Sequence, residues 1–154
     1  MTENSIKQKI INHFMVNGNK TTCEKLLVTS FKFLQKSNKK LYSEIIKLSI
    51  INSTPVFRII NLKPDKKKKR KKKGNKIIKQ TPGYFSTNYF RISNATKFIV
   101  KASINKKRQN KILSKQLKNE FILNARNEGD AVSFKDELQK QALIKKHLFK
   151  YYKW

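Results

Sequence analysis

Apolar residues recur at helical spacing over most of this chain. Ile6, Ile10, His13 and Phe14 mark a first helix, with Asn17-Gly18 as its stop. Cys23, Leu26, Leu27, Ser30, Phe31 and Leu34 fall on one broad stripe of a second, from about Thr22 to Gln35, which Ser37-Asn38 breaks. Leu41, Ile45, Ile46, Ser49 and Ile50 keep the register of a third, over roughly Leu41 to Asn52. Pro55 then blocks helix continuation, and Val56 to Leu62, β-branched and aromatic, reads as extended.

The second half mixes both periods. Lys76 to Gln80 and Tyr84 to Ile92 flank Thr81-Pro82-Gly83, and Pro-Gly between extended runs predicts a β-hairpin over 76–92. Asn94 or Thr96 is placed to cap a helix carrying Phe98, Ile99 and Ala102. Leu113, Leu117 and Phe121 mark the next helix, which Asn127 to Gly129 ends. Ser133-Phe134-Lys135-Asp136 has the form of a capping box, and Phe134, Leu138, Ala142, Phe149 and Tyr152 share the face of the helix it would open. No internal repeat or clear linker interrupts the chain. The pattern predicts a mainly α domain over 1–154, a helical bundle interrupted by one hairpin.

Charge changes the picture from a fold to a function. The 154 residues hold 37 Lys plus Arg against 9 Asp plus Glu, a formal net charge of +28. A compact body with that charge repels itself at low salt unless a polyanion neutralises it, and phosphate backbones do so with counterion release. The cations run from Lys7 to Lys153, which suits a large RNA surface better than the single basic helix face of a membrane-surface protein. Hydrophobic residues make up 38% of the chain, enough for a modest core, so the whole is not a disordered basic tail. No apolar run approaches the roughly 18 residues of a membrane span. Met1 to Ser5 lacks a basic region followed by an apolar stretch, so no secretory signal is expected.

Three cationic groups stand out. Lys66, Lys67, Lys68, Lys69, Arg70, Lys71, Lys72 and Lys73 form an unbroken run inside a low-complexity loop over 63–76. Such a block does not pack on itself; it is read as a phosphate contact that supplies affinity and little sequence reading. A nuclear localisation signal has the same appearance, but removing these eight cations from +28 still leaves +20 to explain. The predicted hairpin adds Lys76, Lys79, Tyr84, Phe85, Tyr89, Phe90 and Arg91, aromatics interleaved with cations that can stack on unpaired bases. Strand alternation sends half of those aromatics into the core instead. Lys97, Lys101, Lys106, Lys107, Arg108 and Lys111 form the third group, too many for a helix dipole to account for.

Catalysis finds little support. His13 and His147 are the only histidines, and neither has an acidic or nucleophilic neighbour in sequence. His13 lies on an apolar stripe and reads as structural. Cys23 is alone, which rules out an internal disulfide and a cysteine-based metal site. Glu120, Glu128, Asp130, Asp136 and Glu137 concentrate the acids, and intrahelical pairs such as Asp136 with Lys140 explain them more simply than a metal. No glycine loop is present to cradle a phosphate. The expectation is a non-enzyme with no cofactor and no metal. A basic DNA-compacting or nuclear protein is the main alternative.

Several stretches, taken in order, resemble one family. Asn119-Glu120-Phe121-Ile122-Leu123-Asn124-Ala125, Gly129-Asp130-Ala131-Val132, the basic stretch Lys135 to Lys146 and the ending Phe149-Lys150-Tyr151-Tyr152-Lys153-Trp154 resemble the C-terminal half of ribosomal protein seven of the small subunit. Pro55-Val56-Phe57-Arg58-Ile59 resembles that family's Pro-Val-Leu-Glu-Val strand, and Lys97-Phe98-Ile99-Val100 stands where it usually has Leu-Arg-Trp-Leu-Val. Phe14-Met15-Val16-Asn17-Gly18-Asn19-Lys20 resembles its first helix and following Gly-Lys-Lys turn, which adds Lys20 to the candidate RNA contacts. The colinear set covers about residues 6 to 154. Two departures matter: the family's Arg-Arg-Val-Gly-Gly approach to the hairpin is replaced by Lys66 to Gly74, and its Arg-rich segment before the fourth helix is reduced to Tyr89-Phe90-Arg91-Ile92. Bidentate arginine contacts do not carry over there.

The resemblance implies about six helices with a protruding β-hairpin. It implies a structural role in the small ribosomal subunit, direct binding of small-subunit rRNA, and early assembly of the subunit head. It places the hairpin near exit-site tRNA and the mRNA path, and the C-terminal helix near ribosomal protein eleven of the same subunit among neighbouring head proteins. Membrane attachment and homo-oligomerisation are not expected. Abundant Lys, Asn and Ile, with AT-rich codons, suggest an organellar version, with a mitochondrial ribosome as the expectation and a plastid or bacterial cytoplasm as the alternative.

Overall fold

A computed structural model describes residues 3–37, 41–62, 79–107 and 112–151. Among these, six α-helices and two strands follow in the order α1 (Glu3–Phe14), α2 (Lys20–Ser37), α3 (Tyr42–Ser53), β1 (Phe57–Leu62), β2 (Lys79–Tyr84), α4 (Asn88–Lys107), α5 (Leu113–Ala125) and α6 (Asp130–Ile144). A turn of 3-10 helix, Lys146–Tyr151, closes the described chain. The predicted class, a mainly α bundle with a hairpin, is the class observed.

The stripes of α1, α2 and α3 turn inward as their spacing requires. Ile10, Leu34 and Phe121 are almost fully buried, and Phe31 stacks on Tyr42 and lies against Phe121. Each such side chain contributes about 1.5–3 kcal/mol on leaving water. Cys23 is buried among them. Helix α4 lies at the centre, packed on α1, α3, α5 and α6. Its inward positions include the small residues Ala95, Thr96, Ala102 and Ser103, all buried, which let four helices approach one axis. Gly18 (φ 74°) sits in the left-handed region just after α1, where a side chain would be strained, so Asn17-Gly18 ends the helix as expected.

The hairpin exists but not over 76–92. β1 pairs antiparallel with β2, Phe57 opposite Tyr84 and Leu62 opposite Lys79. Thr81, Pro82 and Gly83 are therefore strand residues, opposite Ile60, Ile59 and Arg58, rather than a turn. A proline is tolerated because a strand with one neighbour has a free side on which no ladder N–H is required. Residues 85–92 then enter α4, which starts at Asn88, well before the caps expected at Asn94 or Thr96. The Lys66 to Lys73 run joins the two strands in sequence and lies outside the described residues, with the rest of the predicted 63–76 loop and Lys76.

The capping box at Ser133 is also corrected. α6 starts at Asp130 with Gly129 as its N-cap, and Ser133 Oγ donates to Asp130 O (2.7 Å) from inside the first turn. Nor does α6 run on to Phe149: it stops at Ile144, and Phe149 lies in the 3-10 turn.

Candidate nucleic-acid interface

The sequence-predicted cations fall on several elements. Lys20 opens α2 and pairs with Glu24 one turn on (3.7 Å), both exposed, an ion pair of small energetic weight. Lys79 opens β2. Lys97 and Lys101 are exposed on α4, and Lys106 and Lys107 occupy its last turn. Lys101 Nζ stands 4.9 Å from the centre of the Phe134 ring on α6, a cation–π contact that ties its stem to the bundle. Arg108 and Lys111 lie outside the described residues.

Two predicted contacts prove to be engaged within the protein. Arg91 Nε donates to Pro55 O (3.3 Å), bracing the start of α4 against the approach to β1. Arg91 also lines an open cleft of about 600 Å³ with Lys47, Asn88, Ile50 and Ile51. Tyr84 packs against Phe57 (5.0 Å between ring centres) and Phe149 (5.5 Å), with 42% of its surface still exposed. Tyr89 and Phe90 leave the expected hairpin for the first turn of α4, where both are more than half exposed.

Four residues with little sequence signal organise this surface. Lys9 is buried (5% exposed), lies 3.3 Å from the centre of the Tyr89 ring and donates to Tyr89 O (2.9 Å). Burial pushes its ammonium below the usual lysine range. Lys135 donates to Asn52 O (2.9 Å) and pairs with Asp136 (3.4 Å), while Lys145 donates to Gln80 Oε1 on β2, toward the end of the hairpin away from Tyr84. Glu120, grouped by sequence with the other acids, is fully buried and its Oε1 accepts the Ala131 N–H (3.0 Å). Lys9, Lys135 and Lys145 reach partners 65 to 83 residues away and Glu120 reaches across to the next helix, so local pattern carried no sign of these contacts.

His13 is half-buried on α1, its Nε2 2.9 Å from Ser93 Oγ on α4. Burial holds its pKa below the usual histidine value, and the nearby Lys97 and Lys9 charges act in the same direction, partly offset by the Ser93 contact. Among the described residues no group of three or more His, Cys, Asp or Glu side chains is placed to hold a metal ion, and no helix is long and apolar enough to cross a membrane.

A small helical bundle with a two-stranded hairpin and this density of cations defines a class of basic, helix-rich domain. The family model described as Ribosomal protein S7p/S5e matches residues 1–146, and the chain belongs to that family. It is similar to the small ribosomal subunit protein uS7c of Euglena gracilis, 29% identical over 138 residues covering 90% of this chain and 80% of the relative. It is similar also to uS7c of Bigelowiella natans, 27% identical over 148 residues (96% and 86%), and to uS7 of Wigglesworthia glossinidia brevipalpis, 29% identical over 149 residues (97% and 86%). Two of these relatives are plastid proteins and the third is bacterial, so they lend the mitochondrial expectation no support.

Proposed function

We propose that this protein is a structural constituent of the small ribosomal subunit that binds small-subunit rRNA directly and helps assemble the subunit head. The observation that carries the reading is a net charge of +28 on a chain that belongs to a ribosomal family. Cations on α2, α4 and the hairpin would neutralise phosphates of separate RNA segments and fix their relative arrangement, with shape and phosphate spacing read ahead of base identity. The run Lys66 to Lys73 supplies the densest contact. The hairpin lies near exit-site tRNA and the mRNA path, and the C-terminal segment faces ribosomal protein eleven of the same subunit. The protein acts as a single domain and as one copy, without catalysis. Its relatives favour a plastid or bacterial ribosome over a mitochondrial one.

Filter binding of the whole protein to small-subunit rRNA over a salt series tests this. Replacing Lys66 to Lys73 by Gln is expected to weaken binding and to flatten log affinity against log salt by several units, at about 0.7–0.9 for each phosphate no longer neutralised. An unchanged slope removes the run from the interface. Duplex DNA competing as well as structured rRNA would favour the DNA-compacting alternative.

A further inference from the structure

Between the end of α2 and the start of α5 lies a cleft of about 310 Å³ lined by Phe33, Lys36 and Ser37 from α2 and by Lys115, Lys118 and Asn119 from α5. We propose that this cleft binds a single-stranded RNA segment, with an unpaired base on the Phe33 ring and the three ammonium groups on the flanking phosphates. The proposal rests on reading the protein as an rRNA binder and names a second, separate place where RNA is held.

Its walls are fixed from behind. Phe31 and Leu34 of α2 and Leu117 and Phe121 of α5 are buried, so the helices cannot part without opening the core. Helical geometry then sends the residues beside them outward: Phe33 and Lys36 on α2, Lys115 and Lys118 on α5. Three cations face one small space, and none of the described residues lining it is acidic. Like charges held so close repel one another, and an anion in the middle turns that cost into attraction.

The half-buried Phe33 ring decides which anion. A free phosphate or a duplex backbone makes no use of an aromatic floor, whereas a base freed from its stack does. Asn119 adds an amide able to donate to and accept from a base edge. The cleft also stands on different elements from the hairpin: α2 packs on α5, α1 and α3, and the strands pack on α6 and the closing 3-10 turn. The cleft would thus add a place for RNA apart from the hairpin, at the end of α2 away from Lys20.

The test uses the whole protein and an oligouridylate carrying 4-thiouridine, with photo-cross-linked peptides identified by mass spectrometry. A cross-link at or beside Phe33 is expected, and its loss in the Lys36→Gln, Lys115→Gln, Lys118→Gln triple variant. That variant's salt slope should fall by about 2, at roughly 0.7 per single-strand phosphate. Phe33→Leu keeps the apolar filling, so it should retain the slope while binding about tenfold more weakly. Unchanged melting of the triple variant shows that it folds; if it does not, the leucine variant decides alone. Cross-links confined to other elements, with neither variant altering binding, overturn the cleft and leave the ribosomal reading standing. Failure of the wild-type protein to bind small-subunit rRNA overturns that reading itself. Displacement of the Phe33 cross-link by polyglutamate at lower concentration than by unlabelled oligouridylate assigns the cleft to a protein partner and overturns the proposal.

Discussion

The rings of Tyr84 and Phe149 stack with centres 5.5 Å apart and planes 23° from parallel, which fastens the closing 3-10 turn to the base of the hairpin. Phe57, opposite Tyr84 on β1, touches both rings at 5.0 and 5.6 Å. Aromatic pairs contribute about 0.5–1.5 kcal/mol beyond their buried area. Phe149→Ala is therefore expected to cost about 1–3 kcal/mol and to quicken amide hydrogen exchange in β2, while Phe149→Tyr keeps the ring and leaves exchange unchanged. Exchange as slow in Phe149→Ala as in the wild type would show that the hairpin stands without the turn.

That trio also shows where sequence reading stops. The stripes of α1, α2, α3 and α5 were legible because their buried residues lie within one helix, at spacing physics dictates. The hairpin was legible as an element, but its strands and register were not. Thr81-Pro82-Gly83 carries turn chemistry, yet β2 is selected by its partner β1 and by packing on α6 and the closing turn, which local pattern cannot see. Asn88 to Ile92, with Tyr89 and Phe90, has strand-like composition, but Arg91 to Pro55 and Lys9 to Tyr89 bonds hold it in helix. The cations of the candidate interface were legible as a charge excess. Which of them are engaged internally, as Lys9, Arg91, Lys135 and Lys145 are, depends on partners from 36 to 83 residues away.

Gly129 is required by its neighbour rather than by backbone angle. Its φ of −82° is open to any residue, but a Cβ there would fall 1.9 Å from Asn124 Oδ1 and 2.6 Å from Asn124 Cγ. Asn124 is fully buried and cannot swing aside. Gly129→Ala should destabilise by about 1–3 kcal/mol, in the range of other overpacked sites. Asn124→Ala in the same chain removes the clashing atoms, so the double variant should be more stable than the two single losses added together. Additive losses in urea melts would mean that something other than this clash limits residue 129.

His13 predicts a pH dependence of stability. Its folded pKa lies below the ordinary 6.5, so below that value the unfolded chain takes up more protons at this residue than the folded one does. This contribution is fully present above pH 6.5 and is lost as pH falls from there toward the folded pKa, where it levels off. Thermal melting should therefore drop on going from about pH 7 to about pH 5.5, and His13→Gln, which keeps a polar partner for Ser93, should flatten the drop. A profile identical in the variant would place the titration elsewhere.

Glu120 is the acid on which the join between α5 and α6 depends. Its Oε1 takes the N–H of Ala131, one of the donors that the first turn of α6 cannot satisfy within the helix. Glu120→Ala leaves that buried N–H without its acceptor and opens a space beside it, a loss of about 2–3 kcal/mol. Glu120→Gln keeps an oxygen of the same reach and should lose only about 1 kcal/mol. Chemical denaturation of the two variants separates the explanations: equal losses would mean that negative charge at the N-terminus of α6, rather than the hydrogen bond, is what the fold uses. The expected order, alanine well below glutamine, would make this carboxyl a fixed part of the bundle.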